Sequence, residues 1–80
     1  MKNILIKNNK LLTPQVIILK CFQDIDLVID ELTKNKPLIV NASNLVYQDG
    51  QRVIDFLSGY CFAKNGNIKK IDNLIYRIDI

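Results

Sequence analysis

Apolar positions along the chain change period several times, and the changes mark out its elements. Val16-Ile17-Ile18-Leu19 is an unbroken, β-branched run that reads as a first strand, apolar on both faces. Ile25, Val28, Ile29 and Leu32 then recur at helical spacing. Asp24 and Asp26 open this helix and Lys34 and Lys36 follow near its end, the charge order that complements a helix dipole. Leu27 falls on the opposite face, among acidic residues, where a neighbouring subunit can touch it. Pro37 starts a second strand, Leu38-Ile39-Val40, again apolar on both faces, and Asn41 to Asn44 form a loop.

A second helix is predicted from about Tyr47 to Ser58, with Gly59 as a left-handed C-terminal cap. Its apolar arc is broad: Val46, Val53 and Leu57 lie at the centre, Phe56 on one edge, Tyr47 and Ile54 on the other. Beyond the glycine, Tyr60 to Ala63 read as a third strand and Lys64-Asn65-Gly66-Asn67 as a hairpin turn. Ile68 to Ile71 give a fourth strand, and Leu74 to Asp79 a fifth after Asp72-Asn73. The predicted fold is therefore α/β, a two-layer sandwich of two helices on a five-stranded mixed sheet, in the order β-α-β-α-β-β-β. Two helices cover one sheet face, yet the first two strands are apolar on both. Burial of several aliphatic side chains against a second copy contributes several kcal/mol at about 25 cal/mol per Å², comparable with the whole stability of a small domain. A homodimer is expected.

Composition divides the chain into an arm, residues 1–14, ending at Thr13-Pro14, and a core domain, residues 15–80. The formal net charge is +3, and Lys2, Lys7 and Lys10 in the arm account for the excess; the core carries as many acidic as basic side chains. That balance argues against a nucleic-acid face spread over the domain. In the arm, Met1, Ile4, Leu5, Leu11 and Leu12 gather on one side of a helical wheel opposite those lysines, the pattern of a membrane-surface helix, although Ile6 interrupts the polar side. A disordered or strand-adding arm is the other reading. Cys21 and Cys61 sit in apolar surroundings and read as buried thiols of a reducing compartment.

Little in the chain points to catalysis. Histidine is absent, which removes histidine-based triads and most zinc constellations. Asp49 and Asp55 are six apart and do not stack on one helix face, and Gly50, Gly59 and Gly66 make no phosphate-cradling loop. No catalytic residue, metal site or cofactor is expected. One alternative function is a small RNA-binding domain, because Gly59-Tyr60-Cys61-Phe62 partly matches a strand motif whose aromatic residues, here Tyr60 and Phe62, stack on bases. Ser58 stands where that motif has Lys or Arg, and the order of elements differs from that of RNA-recognition domains.

The stretch Arg52-Val53-Ile54-Asp55-Phe56-Leu57-Ser58-Gly59-Tyr60 resembles the signature of the SepF family of cell-division proteins. Pro37-Leu38-Ile39-Val40-Asn41 is similar to the family's proline-led aliphatic strand, and Gly66 to Ile71 resembles its following hairpin. Departures occur at Gln51, at Val46-Tyr47 and at Tyr76, where family members often carry lysine, Asp-Pro and phenylalanine. The resemblance implies a cytoplasmic or plastid-stromal adaptor at the division site near the inner membrane face. Its implied partner is the C-terminal tail of the tubulin-like division protein FtsZ, a short segment mixing acidic and apolar residues. Lys70 and Tyr76 look like the family's basic and aromatic tail-binding positions, with Arg52 and Phe56 on the second helix as a further surface. Gly59 corresponds to a glycine associated with self-assembly into dimers, filaments or rings; Ile54 and Leu27 are the other self-assembly candidates.

Overall fold

The computed structural model describes residues 14–80, in the order β1 (Gln15–Ile18), a 3-10 turn (Phe22–Asp24), α1 (Ile25–Leu32), β2 (Leu38–Asn41), α2 (Tyr47–Ala63), β3 (Asn67–Asp72) and β4 (Ile75–Asp79). The expectation of a membrane-surface or strand-adding arm falls on residues outside this range, except Pro14. The fold is α/β with two helices and a mixed sheet, but the sheet has four strands, in the order β1-β2-β4-β3, rather than five. β1 and β2 are parallel neighbours, β2 pairs antiparallel with β4, and β4 pairs antiparallel with β3.

The missing strand is Tyr60–Ala63, which forms the last turn of α2. Gly50, Val53, Ile54, Leu57 and Cys61 are buried along this helix, so Cys61, four residues after Leu57, extends the same stripe past the glycine. That packing overrides the weak helix propensity of Gly59, whose φ is negative and which caps nothing. The actual stop is Asn65, in the left-handed conformation with φ 57°. The Gly66 N–H donates to the Cys61 carbonyl at 2.8 Å and the Asn65 N–H to the Phe62 carbonyl at 3.2 Å, the paired bonds of a Schellman cap. Residues read as a hairpin turn are thus a helix terminus. The hairpin lies further on, where Asn73 and Leu74 join β3 to β4. The RNA-binding alternative loses the strand it required: Tyr60 and Phe62 lie on the last turn of α2, with Phe62 86% exposed.

One face of the sheet carries the core. Leu38 and Val40 of β2 and Ile78 of β4 are buried against Val28 and Leu32 of α1 and Val53 and Leu57 of α2. Leu19, just past β1, closes the cluster. Leu74 enters this core despite its left-handed φ of 58°, and its carbonyl accepts from the Ala42 N–H at 2.8 Å. It lies over Gly50: a Cβ there would sit 2.8 Å from Leu74 Cδ1 and 3.1 Å from the Ala42 carbonyl oxygen. Gly50 is therefore required by close approach, and Gly50→Leu is expected to destabilise the fold by about 1–3 kcal/mol through overpacking. Chemical denaturation measures it; an unchanged midpoint would show that Leu74 moves aside without cost.

The two thiols also differ from expectation. Cys61 is buried, as expected, but Cys21 is exposed at the start of the 3-10 turn. Burial, and then the carboxylate of Asp79, push the Cys61 thiol upward. In the native protein a thiol reagent at neutral pH is expected to label Cys21 promptly and Cys61 only on unfolding. Two fast equivalents would overturn that assignment.

Candidate partner-binding and self-assembly surfaces

The β3–β4 hairpin brings Lys70 and Tyr76 together. They are direct cross-strand partners in the antiparallel ladder, on the face that Val40 and Tyr76 share with the helices. Tyr76 is partly buried and packs against the core; Lys70 is exposed on the sheet edge. A β-bulge immediately follows, between Lys70 and Asp72, and sets Ile71 out of register and into solvent. The result is a cation beside a ring held by the core, with directly paired Cβ atoms about 4.5–5.5 Å apart.

A second surface is the outer side of α2. Arg52, Phe56, Gly59 and Ala63 succeed one another at steps of four, three and four, and all are exposed. Phe56 is 52% exposed, a large apolar side chain left in water by the protomer. Arg52 stands over the ring of Phe22, 5.0 Å from its centroid, and pairs loosely with Asp49 at 3.9 Å. Among the described residues, a Cβ at Gly59 would meet nothing within 4 Å. Leu27 lies exposed on α1, whereas Ile54 is buried inside the protomer at 4% exposure and so seats α2 from beneath.

Arg52 and Phe56 are therefore on a different element from Lys70 and Tyr76. Arg52 belongs instead to a shallow groove of about 640 Å³ between the 3-10 turn and the start of α2, lined by Lys20, Phe22, Val46 and Asp49 among others. Phe22 was not among the sequence candidates, because its partner Arg52 is far along the chain and no periodic signal links the two. Asp24 fastens this turn. Its carboxylate accepts from the Lys20 N–H at 2.8 Å and the Cys21 N–H at 3.3 Å, and the Lys20 bond chiefly holds its pKa below the usual value.

Among the described residues, no helix lies over the other sheet face. Across it runs the row Val16, Ile39, Arg77, Lys69, followed by Ile18, Asn41, Ile75 and Asp72. Val16 and Ile18 are exposed, while Arg77 holds Asp79 in an ion pair at 3.0 Å. Among the described residues, no group of three or more His, Cys, Asp or Glu is placed to hold a metal ion, and no helix is long and apolar enough to cross a membrane.

These features define a small α/β sandwich domain with apolar and basic side chains displayed on a helix and on a hairpin. Residues 15–78 match the family described as cell division protein SepF. The chain is 41% identical over 66 residues to the cell division protein SepF of Thermoanaerobacter sp. (strain X514), a match covering 80% of this chain and 48% of that protein. It is 40% identical over 57 residues to that of Ruminiclostridium cellulolyticum, covering 71% of this chain and 36% of the relative. The chain belongs to the SepF family of cell division proteins. It spans less than half the length of these relatives.

Proposed function

We propose that the chain is the partner-binding and assembly domain of a division adaptor, which binds the C-terminal tail of FtsZ and self-associates, so helping to organise or anchor the division ring at the membrane. The observation that carries the tail-binding reading is the cross-strand pairing of Lys70 with Tyr76. A tail mixing acidic and apolar residues needs a cation and an aromatic contact side by side on a rigid element. The hairpin supplies both, because Tyr76 is fixed by the core and Lys70 is free to meet a carboxylate.

Self-association is assigned to the outer side of α2, with Phe56 and Gly59 at its centre and Leu27 of α1 as a further contact. A glycine in a helix interior costs about 1 kcal/mol relative to alanine, and nothing among the described residues of the protomer requires one at Gly59. Close approach of a second copy gives that glycine a purpose. Arg52, at the end of the same stripe, is the second candidate contact for an acidic tail. Titration of the purified protein with an FtsZ tail peptide tests the function directly: saturable binding supports it, and no heat of binding at millimolar peptide removes the tail from its partners.

A further inference from the structure

The two edges of the sheet are unlike. β3, at one edge, carries Lys69 and Lys70 and is broken by a bulge, features that discourage pairing with another strand. β1, at the other, is Gln15-Val16-Ile17-Ile18, with no charge and no bulge. The Gln15 N–H donates to the Pro37 carbonyl at 3.3 Å and the Leu19 N–H to the Asn41 carbonyl at 2.9 Å. Strand alternation therefore turns the N–H and C=O of Val16 and Ile18 away from β2, toward the open edge. Both ends of this free ladder are closed. Pro14, next in the outward phase, has no N–H. The Lys20 N–H is held by Asp24 Oδ2 at 2.8 Å. Among the described residues, the edge thus offers two donors, Val16 and Ile18, and their two carbonyls.

That set is complementary to itself in one register. We propose that β1 pairs antiparallel with β1 of a second copy about a twofold axis at Ile17, Val16 facing Ile18 of the other chain and exchanging both hydrogen bonds with it. The pairing uses all four free groups of each strand. It places Lys20 opposite Pro14 and Gln15 opposite Leu19, so no like charges meet. The exposed side chains of Val16 and Ile18, both on the sheet face opposite α1 and α2, join those of the second copy in one apolar strip. Shifting the register by two residues in either direction pairs Ile18 with a proline that has no donor, or Val16 with a lysine whose donor is taken. The two sheets become one continuous sheet, closed as a twofold contact. This contact is separate from the α2 surface.

The test uses the full chain with Cys21→Ser, in which Val16→Cys and Ile18→Cys are made separately, mixed and oxidised. Directly opposed residues lie about 5.5 Å apart at Cα, whereas like residues fall beyond the roughly 7 Å that a disulfide spans, so the mixed disulfide is expected to form at least about tenfold faster than either homodisulfide. The same preference is expected in a Gly59→Lys background, which separates failure of this edge from failure of the α2 contact. Amide exchange at Val16 and Ile18 in the parent chain is expected to slow as protein concentration rises. Equal cross-linking rates, or no cross-link, would overturn the pairing. So would slow exchange at those amides that does not depend on concentration, since a segment of the same chain would then occupy the edge.

Discussion

Tyr76→Ala is expected to weaken binding of an FtsZ tail peptide by about 1–3 kcal/mol, mostly by speeding its release, because truncating an aromatic anchor chiefly raises dissociation. Lys70→Glu is expected to lose a similar amount and also to slow association, since it reverses the charge that meets the acidic part of the tail. The two changes differ in what they disturb at home. Tyr76 packs on the core and its loss leaves a void at the β2–β4 seam; Lys70 stands in solvent opposite it, so its replacement leaves the core untouched. Calorimetry and stopped-flow kinetics on both variants, with circular dichroism as the check on folding, separate these effects. If both bind as the parent does, the hairpin is not the tail site, and the Arg52 and Phe56 surface of α2 becomes the place to look.

Pairing of these two residues was within reach of the sequence. Lys70 and Tyr76 are six positions apart, and a hairpin between them was expected, so their proximity followed from a turn near Asp72-Asn73. The strands β1 and β2 and the stripe of α1 were legible because continuous apolar runs and helical periodicity are strong local signals. The error at Tyr60–Ala63 arose from weighing Gly59 as a stop above the spacing of Leu57 and Cys61. A glycine only lowers helix propensity by about 1 kcal/mol, and one buried side chain in phase offsets it. The Asn65-Gly66 pair misled for a related reason: the left-handed residue that a hairpin turn demands is the same one that a Schellman cap demands. Cys21 could not be placed from apolar neighbours, because the strand ends at Ile18 and the chain turns outward before reaching it. Arg52 over Phe22, and Leu74 over Gly50, join residues distant in sequence, and tertiary packing alone reveals them.

Gly59 provides the sharpest separation of fold from assembly. Gly59→Ala is expected to raise the stability of the protomer by about 0.5–1 kcal/mol, since the φ is ordinary, the added methyl enters open space and the helix interior gains propensity. Gly59→Lys is expected to leave the circular dichroism of the protomer unchanged for the same reason, because the side chain extends into solvent. Its effect falls on higher assembly: a long, charged side chain in the middle of the Phe56 and Ala63 stripe holds a second helix away and buries a cation if the helices close. A weakening of self-association by at least about tenfold, or 1.4 kcal/mol, is the expected result, read by sedimentation and by electron microscopy of any filaments or rings. The pair of variants decides the question better than either alone. If lysine and alanine both assemble as the parent does, the outer side of α2 is a free surface and the glycine there is merely tolerated. If lysine blocks assembly while alanine stabilises the protomer, close helix contact is the reason that glycine occupies a position where the fold itself does not need it.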